Sequence, residues 1–242
     1  MVKVNSALIL YFTAFVLYII AVLIGSDNLE LFSKPIIIPS IYYFYYISVR
    51  GKINYLFSFS VLSFFIGEIL HLISRQDFNI SGLIFLLIPY FIILYFIIQD
   101  LIYYLKKQKI TLNTFSFYII LMLLVYLFYN VLMMMIEESS FDFFIYALYG
   151  ITLLLMGVLV FVMQINYTNR TILFSALMVA CFIVSDLFFV FYKKLPDLLA
   201  LKMINVTTQE LSFFCYISYF IYRTKFKLYG KRNIQNWKRY WR

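Results

Sequence analysis

Apolar residues run through this chain in long blocks separated by short polar breaks. Ala7–Ile24, Leu83–Ile98, Phe115–Ile136 and Phe143–Ile165 approach or exceed the ~18–20 residues a helix needs to cross hydrocarbon. Charge and turn residues divide the chain into eight spans, roughly 6–25, 35–49, 54–73, 79–99, 114–136, 143–165, 171–192 and 198–222. Backbone groups in lipid must bond within their own segment, and nothing alternates with the period of a barrel strand, so each span is predicted as a helix. The second span is short, and its opening Pro35 suits a first helical turn, where the missing N–H costs nothing. The first span starts with Lys3 but lacks Ala-x-Ala cleavage chemistry, which favours a permanent span over a signal peptide. The expected fold is an all-α polytopic membrane bundle of about eight transmembrane helices. Residues 1–222 form one transmembrane domain and 223–242 a basic, aromatic tail.

Composition agrees. Of 242 residues, 64% are hydrophobic and 13% charged, against about 25% charged in a soluble domain. A chain this apolar cannot hide its hydrocarbon in a core of its own, so its solvent is lipid. With both termini inside, the inner segments hold Lys3, Arg50, Lys52, Lys106, Lys107, Lys109, Arg170 and the eight basic residues from Arg223 onward, fifteen of the 20 Lys and Arg. The positive-inside rule therefore favours cytoplasmic termini. The tail interleaves its bases with Phe226, Tyr229, Trp237, Tyr240 and Trp241, which fits an anchor on anionic membrane lipid better than a nucleic-acid site. Cys181 and Cys215 both fall in apolar spans and read as packing residues. High Ile, Phe, Tyr and Lys with short loops suggests the inner (cell) membrane of a bacterium.

Five ionisable residues interrupt this hydrocarbon: Lys34, Glu68, His71, Asp186 and Lys202. Charge at a helix centre costs at least ~2.5–3.5 kcal/mol per residue, so a cluster usually marks a working site. Counted from the inner boundary, Glu68 and Asp186 lie ~21–23 Å along their helices. Lys34 and Lys202 lie at or within a turn of the outer boundary. His71 follows Glu68 by three residues and shares its face. All five therefore fall in the outer third of the membrane, from four different helices. Lys202, Asn205 and Gln209 form one polar stripe, which would line a cavity or bond neighbouring helices. Glu210 points about 100° away and reads as structural, with a Tyr or Ser partner. Glu68-x-x-His71 is half a di-iron motif whose second half is missing, so no metal or other cofactor is expected.

At these residues the chain resembles the YhhN family of membrane lysoplasmalogenases. The resemblance lies in Ser33-Lys34-Pro35 opening the second span, and Phe57-Ser58 followed by Gly67-Glu68 in the third. Ser185-Asp186 in the seventh and Thr208-Gln209 in the eighth continue it. It covers nearly the whole chain; the family usually has Gly-Asp where this chain has Gly67-Glu68. The resemblance implies an eight-span bundle that hydrolyses the vinyl ether bond of a lysophospholipid, releasing a fatty aldehyde and a glycerophospho-base.

The residues suit that chemistry independently. A vinyl ether breaks when a general acid protonates its outer carbon and water attacks the resulting oxocarbenium ion, roles two carboxyls can divide. Two close, buried carboxyls resist double ionisation, so one keeps a proton. Glu68, flanked by Phe64, Phe65 and Ile66, is the expected acid. Asp186, held ionised by Lys202, is expected to stabilise the cation and activate water; the reverse assignment stays open. Lys34 would meet the phosphate, with Lys202, Asn205, Gln209 and His71 as further substrate-binding residues. Two rivals use the same charges: a transporter or proton relay, and a non-catalytic protein whose acids pair with Lys34 and Lys202.

Overall fold

A computed structural model describes residues 6–50, 52–73, 80–106, 114–135, 140–195 and 198–230. The described residues form eight helices: α1 Ser6–Ile24, α2 Asp27–Ser48, α3 Tyr55–Ile73, α4 Ile80–Leu105, α5 Thr114–Met134, α6 Ser140–Asn166, α7 Arg170–Lys194 and α8 Leu199–Gly230. Among the described residues there is no strand. Six helices (α1, α3, α4, α5, α6 and α7) are long and apolar enough to cross a membrane. The chain is a helical integral membrane bundle. α2 and α8 are long, at 22 and 32 residues, or ~33 and ~48 Å, but more polar. They carry the site's Lys34, Lys202, Asn205 and Gln209. The basic residues Lys3, Arg75, Lys107 and Lys109, the acids Glu137 and Glu138, and the tail from Lys231 onward lie outside the described residues.

Three boundaries differ from expectation by more than a helical turn. α2 begins at Asp27, so Pro35 and Pro39 sit inside it rather than at its start. Gly25, at φ +69°, ends α1 in the left-handed conformation that glycine adopts without penalty. The Ser26 N–H reaches back to the Ala21 carbonyl at 3.0 Å. Asp27 and Glu30 then occupy the first turn of α2, where negative charge opposes the helix dipole. These signals outweigh the prolines, which forgo only the N–H bonds to carbonyls 31 and 35. α4 runs past Gln99 to Leu105, and α8 runs past the expected boundary at 222 to Gly230. One contact explains both extensions. Arg223 Nε donates to Asp100 Oδ1 and Oδ2 at 2.8 and 2.9 Å, Arg223 Nη2 donates to Gln99 Oε1 at 2.9 Å, and Tyr219 donates to Asp100 Oδ2 at 2.6 Å. Arg223 is thus a buried core residue and not part of a solvated tail.

Asn54 and Asn169 start α3 and α7, each accepting a backbone N–H three residues on, from Phe57 and Ile172, at 3.1 and 2.9 Å. α8 is the central post, packed against α1, α2 and α7. Phe64 anchors the core beneath the site: it stacks on Phe182 at 5.6 Å and meets Tyr90, Phe213 and Tyr216 edge-on. Gly67, beside Glu68, lets α3 approach α4, because a Cβ there would stand 2.8 Å from Leu86 Cδ2. Gly67→Ala is expected to destabilise the bundle by about 1–3 kcal/mol. Combined with Leu86→Ala it should cost less than the sum of the two single changes. Thermal unfolding of the three variants in detergent checks this.

Candidate functional site

The helices line a partly open cavity of about 590 Å³ whose lining includes every site residue predicted above: Lys34, Glu68, His71, Asp186, Lys202, Asn205 and Gln209. Depth places them there. Glu68 is thirteen residues beyond the start of α3 and Asp186 sixteen beyond the start of α7, or ~20 and ~24 Å. The two carboxyls come from helices far apart in sequence and open on the same space.

Their partners differ. Lys34 Nζ lies 2.8 Å from Glu68 Oε2, and Gln209 Nε2 donates to Glu68 Oε1 at 2.5 Å. Glu68 is 4% exposed, and donors on both oxygens are what a buried carboxylate requires. Lys34 also faces the Tyr18 ring, 5.5 Å from its centroid. Asp186 accepts from the Tyr90 hydroxyl at 2.9 Å and is hydrogen-bonded by Tyr149. The two phenol rings pack edge to face at 4.8 Å. Among the described residues no cation pairs with Asp186. Lys202 is not its partner: Lys202 Nζ lies 3.8 Å from Glu30 Oε2 on α2. The physical reason is helical position. Lys202 sits one turn into α8 and faces the first turn of α2, whereas Asp186 is two turns down α7 from Lys194.

Asn205 is tied to α7: its Nδ2 donates to the Ser185 carbonyl at 2.9 Å and to Ser185 Oγ at 3.1 Å. It braces the residue preceding Asp186, the helix-bonding alternative of its two expected roles, while its side chain still borders the cavity. His71 lies against Gly82 of α4 and 6.2 Å from the Phe189 ring. Glu210, expected to find a Tyr or Ser, has a different arrangement. Tyr11 donates to the Glu210 backbone carbonyl, while Oε2 is buried without a hydrogen-bond partner among the described residues. Cys181 and Cys215 are free thiols in contact across α7 and α8. Among the described residues no group of three or more His, Cys, Asp or Glu is arranged to hold a metal ion.

Four residues that line the cavity or bond its Asp186 were not among those expected from the sequence. Tyr90 and Tyr149 are two among 23 tyrosines, and nothing in their neighbours singles them out. Glu30 and Asp27 were assigned to a loop; the N-terminal signals at Gly25 and Ser26 could have extended α2 to include them.

The fold and the site together define a class: an integral membrane helical bundle with a charged pocket buried toward one end. No family model, curated protein or solved structure matches the chain.

Proposed function

We propose that the protein is a membrane-embedded hydrolase that cleaves the vinyl ether bond of lysoplasmalogen-like lysolipids, in the manner of the YhhN family. The observation that carries this reading is the meeting of Glu68 and Asp186 in one cavity with unlike partners. Their environments favour the reverse of the expected assignment. Glu68 has Lys34 Nζ 2.8 Å from one oxygen and the Gln209 amide on the other, an arrangement that suits the base and electrostatic role. Asp186, facing two phenols and no cation, is the acid.

In this mechanism the Asp186 carboxyl gives its proton to the outer vinyl carbon. The Glu68 carboxylate faces the developing oxocarbenium ion and takes a proton from the attacking water. The hemiacetal then collapses to an aldehyde and the glycerol hydroxyl, the Glu68 carboxyl giving its proton to the departing oxygen and the Asp186 carboxylate taking the hemiacetal hydroxyl proton, which restores both groups. Atoms balance with one water consumed. Lys202, paired with Glu30 at 3.8 Å and part-exposed, is free to re-pair with a phosphate at the cavity's polar end, and Lys34 borders the same space. The substrate is a lysophospholipid drawn from the surrounding membrane lipid, and nucleic acid has no part in this reading. The charge distribution supports cytoplasmic termini, which puts the site toward the outer face; eight spans in a bacterial cell membrane complete this reading.

A relay across the membrane is disfavoured by the aromatic core around Phe64, Phe182 and Phe213. Among the described residues it separates the cavity from the Asp100–Arg223 pair. The test is direct. Purified protein in detergent should release fatty aldehyde from a lysoplasmalogen and leave the saturated ether analogue intact. No aldehyde above the rate of a mock preparation would sink the proposal.

A further inference from the structure

The cavity has two unlike walls. α2, α3 and α8 supply charged and amide groups, whereas α4, α5, α6 and, apart from Asp186, α7 supply mostly hydrocarbon and aromatic surface. α5 contributes Leu124, Leu127, Phe128 and Val131, a spacing that puts all four on one stripe. The rest of α5 faces outward, with Met122 78% and Tyr126 64% exposed, and α6 is the helix it packs against. One helix therefore separates the apolar wall from the bilayer, although α4 is its neighbour in sequence.

On its inner side the cavity is lined by Leu124 and Ile183. Leu124 and Ile183 meet over Gly157, where a Cβ would stand 3.2 Å from a terminal carbon of each. Ile183 is only one turn deeper than Asp186, about 4.5 Å. A long tail whose reacting bond sits at Asp186 meets these side chains within about a turn. The α5 stripe offers it an apolar course across the bundle. Phe128 reinforces that side by seating its ring on Gly150, where a Cβ would be 2.6 Å from Cε2. Hydrocarbon gains little by moving from lipid to protein, so the tail's path is set by shape and not by transfer energy.

Resting on the hydrolase reading, we infer that α5 forms the tail side of the site and the rim of a lateral portal. A single-chain amphiphile lies across the bundle, its head against α2 and α8 and its tail over the α5 stripe, passing beside α5 into the bilayer. Substrate is taken up sideways from lipid, and selectivity falls on the head and the first few carbons of the tail.

The test uses the full chain in phosphatidylcholine nanodiscs with a long-chain lysophosphocholine bearing a mid-chain diazirine. After illumination, label is expected on Leu124, Leu127, Phe128 and Val131, and excess unlabelled lysophosphocholine should reduce it by roughly tenfold or more. Label on Met122 and Tyr126, which bulk lipid bathes, should not respond. Leu127→Trp, which narrows the portal, should abolish the competed labelling, while a short-chain lysophosphocholine still binds as in wild type. Competition that affects both faces of α5 equally overturns the portal, as does unchanged long-chain labelling in Leu127→Trp. Because labelling is read without turnover, a protein that labels as expected but releases no aldehyde keeps the tail site and loses the hydrolase. One that releases aldehyde without competed labelling does the opposite.

Discussion

Replacing Asp186 by Asn is expected to lower aldehyde release from a lysoplasmalogen by roughly 10²–10⁴-fold, the usual contribution of a positioned proton donor. The substitution changes little else. An amide oxygen still accepts from Tyr90, whose hydroxyl lies 2.9 Å from the native carboxyl, and side-chain volume is preserved. What is lost is the carboxyl that donates the proton to carbon in the proposed mechanism. Glu68→Gln should reduce the rate by a similar order for a different reason: the amide can neither face the oxocarbenium ion with negative charge nor take a proton from water. It also leaves Lys34, 2.8 Å away, without its counter-charge, so a loss of stability should accompany it. Thermal unfolding measured beside the rate separates the two effects. Glu68→Asp restores the charge and is expected to recover part of both. Aldehyde release that survives in Asp186→Asn and in Glu68→Gln removes the two-carboxyl mechanism.

The second large effect is at the opposite end of the bundle and concerns stability alone. Arg223→Ala should destabilise the protein by about 3–5 kcal/mol, because it strands the Asp100 carboxylate in a buried site. Arg223 is 3% exposed and Asp100 8%, and the guanidinium also sits 4.6 Å from the Phe96 ring centroid. Replacing both members, Arg223→Met with Asp100→Leu, removes the uncompensated charge and should return most of the loss. Unfolding midpoints in detergent decide it. An Arg223→Ala protein as stable as wild type would mean that α4 and α8 are clamped by their aromatic contacts instead. Neither change should alter the pH or substrate dependence of the site, which lies beyond the aromatic core.

Much of the fold was legible because membrane helices obey a one-dimensional rule. A span is an apolar run of sufficient length, and its ends are where charge and turn residues return. α1 and α3 accordingly begin and end within a residue of expectation. The misplaced boundaries share a cause. Pro35, Asp100 and Arg223 are helix breakers or charges that normally mark an end, and each is retained inside a helix by a partner elsewhere in the chain or by a strong start signal upstream.

The site divides in the same way. That Lys34, Glu68, His71, Asp186 and Lys202 share a depth follows from counting residues at a fixed rise per residue, so the level of the cavity was already present in the linear chain. Composition likewise determined that lipid surrounds the bundle. Which charge meets which was not: an ion pair depends on the rotation of each helix and on its neighbour, and both are decided by packing. Only the tertiary structure joins Lys34 to Glu68, turns Lys202 to Glu30, and gives Asp186 two tyrosines that no local pattern distinguishes from the others. The proposed allocation of acid and base therefore rests on the packed bundle, because a carboxyl responds to the charges and hydrogen bonds within a few ångströms, and those neighbours come from remote parts of the polypeptide.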